Sequence, residues 1–109
     1  MEGFEKVCHI NDLEEKVGKR VMVNDVDLAL FKLENKVYAL NNICPHQHVA
    51  VMHDGYVYGG HVSCPVHGWS FNLKDGKING RKGIDVFEVK IIDDEVYVKA
   101  EAKEPNWDF

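Results

Sequence analysis

Residues 44–67 read CPHQHVAVMHDGYVYGGHVSCPVH. Two pairs of donors stand at the ends of this stretch. Cys44-Pro45-His46 holds a thiol and an imidazole with one residue between them, and Cys64-Pro65-Val66-His67 holds the same types with two between. Each pair encloses a proline, which restricts the backbone and favours a turn on which both side chains can point toward one spot. Between the pairs, Tyr56-Val57-Tyr58 and Val62-Ser63-Cys64 are strand-like runs broken by Gly55 and Gly59-Gly60, the punctuation expected of short strands and turns.

The same pattern continues on both sides. Val21-Met22-Val23, the run from Leu28 to Leu33, and Val37-Tyr38-Ala39-Leu40 are short apolar or alternating runs, and they read as strands. Asn24-Asp25 and Glu34-Asn35 fall where a tight reversal would join neighbours, because Asn and Asp tolerate turn conformations. Downstream, Ser70 to Leu73 reads as a strand ending at Asp75-Gly76, and Val86 to Ile92 with Val96-Tyr97-Val98 brackets Asp93-Asp94-Glu95 as a closing hairpin. Asn11 to Gly18 alone suggests a helix, a short one with Asn11 or Asp12 as cap and Gly18 as its end. Many short strands with frequent turns predict an all-β fold, an antiparallel β-sandwich or barrel.

The chain has 109 residues, of which 45% are hydrophobic, enough for one ordinary core and hence a single domain spanning 1–109. Its 18 acidic and 13 basic side chains give a formal charge of −5, which disfavours nucleic-acid phosphates as a partner. No apolar run approaches the ~18 residues of a membrane span. The first residues lack a basic segment followed by an apolar one, so the expected location is cytoplasmic. No GxGxxG or GxxxxGK[ST] element is present, and a flavin or nicotinamide would have to sit on a partner.

Soft thiolates and neutral imidazoles suit zinc or an iron–sulfur cluster, whereas magnesium and calcium would call for oxygen ligands. Zinc-finger spacing groups two cysteines and then two histidines, while here each loop contributes one of each. A [2Fe–2S] cluster with two cysteines on one iron and two histidines on the other needs one ligand for each iron from each loop, and the observed order supplies it. Zinc remains the rival metal, in a binding module without redox activity.

The four residues resemble the signature of the Rieske proteins: Cys-x-His, a gap of similar length, then Cys-x-x-His. Gly68, Phe71 and Asp75-Gly76 extend the likeness to small soluble Rieske ferredoxins. The resemblance implies a Rieske-like fold with a small cluster-binding subdomain of two loops, about residues 43–76. It implies one Rieske-type [2Fe–2S] cluster, with Cys44 and Cys64 on the inner iron and His46 and His67 on the outer iron near the surface. It also implies a one-electron carrier rather than an enzyme, taking electrons from a flavoprotein reductase and passing them to a dioxygenase or similar redox enzyme. A second branch fits the same residues, the small subunit of an NAD(P)H-dependent nitrite reductase.

Departures from high-potential relatives carry information of their own. Where those proteins have a disulfide between the loops, this chain has Val49 and Val66, and where they place hydroxyls beside the cluster it has Trp69 and Phe71. Hydrogen bonds to the sulfurs stabilise the reduced cluster, so their loss predicts a low-potential member. The counterpart of the proline-bearing cover loop, Gly80-Arg81-Lys82-Gly83, has no proline and reads equally as a solvated turn.

Other residues invite weaker readings. His48, His53 and His61 are expected to be loop histidines without a metal, and Cys8 a small buried apolar residue. The four tyrosines are expected to pack across strands. Trp107 and Phe109 give an otherwise polar tail two apolar anchors, expected to pack on their own domain.

Overall fold

Strand Val26–Leu33 explains most of the architecture, since its side chains alternate between two cores. Leu28 and Leu30 enter one cluster of buried residues with Val23, Val37, Ala39, Val96 and Val98, and Ala29 and Phe31 enter another with Leu40, Val62, Phe71 and Leu73. A strand covered on both faces needs a continuous apolar run, which is what the sequence supplies here.

The computed structural model describes residues 3–44, 49–66, 68–81 and 83–100. The strands are β1 (Phe4–His9), β2 (Lys19–Val23), β3 (Val26–Leu33), β4 (Lys36–Asn41), β5 (Ile43–Cys44), β6 (Val49–Ala50), β7 (Tyr56–Tyr58), β8 (His61–Ser63), β9 (Ser70–Asn72), β10 (Val86–Ile92) and β11 (Glu95–Lys99). A six-stranded sheet runs β1-β11-β10-β4-β3-β2, a ribbon pairs β5 with β6, and a three-stranded sheet runs β7-β8-β9. Every ladder between these strands is antiparallel. The all-β architecture expected from the sequence is thus the one observed, with the small sheet and the ribbon forming a subdomain laid over the outer face of β3 and β4. No helix among the described residues is long and apolar enough to cross a membrane.

Turn chemistry sets the register. Asn24-Asp25, Glu34-Asn35 and Asp93-Asp94 all have positive φ at both residues and join Val23 to Val26, Leu33 to Lys36 and Ile92 to Glu95. Two successive left-handed residues give a hairpin turn whose twist matches that of the flanking strands. Glu34 is the costly member, lacking the local bonding that helps Asn and Asp in this conformation. Its N–H is held by the Glu15 carboxylate at 3.0 Å.

The segment from Asn11 to Gly18 is not the helix expected from its capping residues. One 3₁₀ turn covers Ile10–Asp12, capped by His9. His9 Nδ1 accepts from the Asn11 N–H at 3.1 Å, and Asp12 accepts from the His9 N–H at 3.0 Å. This reciprocal pair closes a single turn. The chain then straightens, because Leu13 is buried and Glu15 forms a bridge with Lys32 at the edge of β3. Gly18 is a close-approach residue rather than a helix end: a Cβ there would overlap the His53 carbonyl oxygen.

A second backbone contact holds the large and small parts together. The Ile84 N–H donates to the Gly76 carbonyl at 2.8 Å. A Cβ on Gly83 would overlap the Gly76 carbonyl oxygen and press within 3.0 Å of the Phe71 ring. Overfilling such a contact typically costs about 1–3 kcal/mol, and Gly83→Ala is expected to lose that much in urea unfolding. An unchanged midpoint would contradict the packing described for this seam.

Candidate metal centre

Each of the two cysteines of the donor pairs sits where a strand gives way to a loop. Cys44 ends β5, opposite Val49 of β6, and Cys64 directly follows β8. Both are fully buried, and both belong to the cluster built on Ala29, Phe31, Met52, Val62 and Phe71. The fold therefore brings together in one apolar environment two thiols that lie twenty positions apart in sequence. His46 and His67, with Pro45, Gln47 and His48, lie outside the described residues, as do Lys82 and the tail bearing Trp107 and Phe109.

The second loop closes on itself. Cys64 N–H donates to the Trp69 carbonyl at 2.8 Å, and Gly68 N–H donates to the Cys64 carbonyl at 2.8 Å. Gly68 has φ +72, a conformation glycine adopts without a Cβ penalty. Beneath the loop, the Ser63 and Ser70 hydroxyls meet at 2.7 Å across β8 and β9. Phe71 is fully buried and Trp69 packs against the same cluster, while Val49 and Val66 at the positions of the missing disulfide are 43% and 47% exposed.

The first loop is gripped at its base. Ile43 pairs with Ala50, the Ile43 N–H donates to Asn41 Oδ1 at 2.9 Å, and the Met52 N–H donates to the Asn42 carbonyl at 3.0 Å. Asn42 is the one buried polar side chain among the described residues, and the sequence reading passed over it. Its only sequence signal is a position two residues before Cys44.

The remaining candidates are placed elsewhere. His53 Nδ1 lies 3.0 Å from Asn42 Oδ1, and His61 Nδ1 lies 3.0 Å from the Gly59 carbonyl. Cys8 is buried in the other core, on β1. Of the tyrosines, Tyr56 and Tyr58 do not pack across strands as expected: they stand 72% and 87% exposed on β7. Their neighbours Ser63 and His61 on β8 are too small or too polar to cover them. Arg81 pairs with Ile78 around the tight turn at Asn79-Gly80.

As a donor set, two soft thiolates delivered into one dry environment fit an iron–sulfur cluster and would not suit a hard cation. The comparisons agree with that chemistry. Residues 3–100 match the Rieske [2Fe–2S] domain model, a family whose members hold one such cluster. The ferredoxin component of naphthalene 1,2-dioxygenase/salicylate 5-hydroxylase systems from Ralstonia sp is 34% identical over 95 residues, covering 84% of this chain and 90% of that protein. Human apoptosis-inducing factor 3 is 36% identical over 97 residues, but the chain spans only 16% of its length. A solved Mycobacterium tuberculosis structure described as an NADH-dependent nitrite reductase small subunit superposes with TM-score 0.82 at 26% identity, covering 92% of this chain and 96% of that one.

Burial raises the Cys8 thiol above its ordinary pKa, with Asp12 adding to the effect. A thiol that stays protonated is a poor nucleophile. Cys8 is therefore expected to resist iodoacetamide at pH 8 in the native protein and to react once the chain is unfolded in denaturant. Rapid native alkylation at Cys8 would contradict its placement in the core.

Proposed function

The chain belongs to the Rieske [2Fe–2S] domain family, and on that premise we propose that it is a low-potential electron carrier whose cluster is held by Cys44, His46, Cys64 and His67. The observation that carries the reading is the burial of Cys44 and Cys64 in one core cluster, each at the start of a loop whose next donor is a histidine. When bound, the cluster supplies one-electron exchange between two iron valences. Residues 43–76 are read as the cluster-binding part of a single domain.

The protein's own groups set the terms of that exchange. Met52, Val62 and Phe71 exclude water from the cysteine side, so the electron is exchanged on the histidine side. Neither Trp69 nor Phe71 carries a hydroxyl to stabilise a reduced centre. The exposed Val49 and Val66 leave the loops joined by packing and backbone bonds instead of a disulfide, a construction suited to the reducing cytoplasm.

The partners follow from the relatives. Near-full coverage of a dioxygenase-system ferredoxin favours a flavoprotein reductase as donor and a dioxygenase or similar redox enzyme as acceptor. The chain would be a component of such a system and not its catalyst. Near-full coverage of a nitrite reductase small subunit supports a second reading, a subunit of that enzyme. Stable co-purification with a sirohaem-containing large subunit would favour the second reading, and a monomer reducible by a flavoprotein reductase the first.

Anaerobically purified protein is expected to contain iron and sulfide, and His67→Ala or Cys64→Ser to lose both. Stoichiometric zinc without iron, or an unchanged cluster in His67→Ala, would overturn the assignment. The midpoint potential is expected in the lower part of the Rieske range, below about +100 mV, in protein-film voltammetry. A value near the upper limit of ~+300 mV would refute the argument from Trp69 and Phe71.

A further inference from the structure

Asn42 is fully buried, and all its polar groups are engaged. Its side-chain Nδ2 donates to Asp27 Oδ1 at 3.1 Å, and its Oδ1 accepts from the His53 N–H at 2.7 Å. Its own N–H donates to the Asp27 carbonyl at 2.8 Å, and its carbonyl accepts from Met52. A carboxylate can only accept and a backbone N–H can only donate, so the amide has one permitted orientation. The same logic makes His53 Nδ1, facing Asn42 Oδ1 at 3.0 Å, the protonated ring nitrogen.

Behind this amide lies a second layer of fixation. Arg20 holds Asp27 with two parallel bonds, Nε to Oδ1 at 3.0 Å and Nη2 to Oδ2 at 2.7 Å, a planar fork that restricts the carboxylate in both position and rotation. On the other side, the Gly18 backbone lies so close to His53 that a Cβ would not fit. Asn42, between β4 and β5, and the 3₁₀ turn Met52–Asp54 flank the β5–β6 ribbon that carries Cys44. Asn42 joins these segments and ties both to β3 through Asp27.

We propose that Asn42 is the positioning residue of the first ligand loop, and that the Arg20–Asp27–Asn42–His53 chain of hydrogen bonds governs how firmly that loop retains iron. The proposal rests on the assignment of Cys44 and His46 as ligands. Groups that orient metal-binding residues typically change metal retention by about 10–100-fold when removed, and a buried network loses most when one member is left unsatisfied.

The test uses the full, cluster-loaded protein and follows the rate of iron release to a chelator together with the EPR spectrum of the reduced state. Asn42→Ala and Asn42→Asp are expected to release iron about 10–100-fold faster than the parent and to shift the g-values. Val98→Ala, a cavity in the other core, provides a destabilised control expected to keep the parental spectrum and rate. His53→Phe keeps the backbone bond to Asn42, removes the ring's contacts with Asn42 and Asp54, and gives a milder version should Asn42→Ala fail to accumulate. Release from the Asn42 and His53 variants at the rate of the Val98→Ala control would overturn the proposal. Parent protein lacking iron and sulfide would instead remove the functional reading, and this inference with it.

Discussion

The two-sided burial of β3 is the constraint on which the rest of the molecule depends. Because Leu28 and Leu30 face one core while Ala29 and Phe31 face the other, the large sheet cannot be satisfied by its own closure. Its outer face needs a cover, and the cover is the small sheet β7-β8-β9 with the β5–β6 ribbon. Cys44 and Cys64 lie in this second core, so the packing that covers β3 is also what brings them together.

That arrangement separates two tasks along the loops. Their strand-proximal ends carry thiols and belong to the interior, where contacts with Met52, Val62 and Phe71 resist movement and keep water away. Val49, opposite Cys44 in the β5–β6 ribbon, and Val66 in the second loop are exposed. In the proposed carrier, the dry cysteine side would serve retention and the histidine side exchange. Family members that use a disulfide reinforce the loops covalently. Here the reinforcement is placed at the base of the loops, in the bonds around Asn42 and in the Cys64–Trp69 and Gly68–Cys64 backbone pair.

How much of this could be read in the sequence depended on the range of the governing interaction. The hairpins at Asn24-Asp25 and Asp93-Asp94 were legible because a turn is local chemistry, and the family was legible because its signature spacing is local too. The segment after His9 was misread because the residues that straighten it, Leu13 in the core and Glu15 against Lys32, act through tertiary contacts. Asn42 escaped notice for the same reason. Its partners Asp27 and His53 are 15 and 11 positions away, and nothing in its neighbours marks an asparagine as buried. The exposed Tyr56 and Tyr58 show the converse limit. Alternation places two residues on one face of a strand but does not say whether anything covers that face.

The central claim is that one imidazole from each loop is bound to the same cluster. Pulsed EPR of the dithionite-reduced protein, with histidine labelled with ¹⁵N, tests it most directly. The account predicts strong coupling to two histidine nitrogens in the parent and no cluster signal when either His46 or His67 is substituted. A cluster signal without coupling to histidine nitrogen, or coupling unchanged by both substitutions, would contradict it.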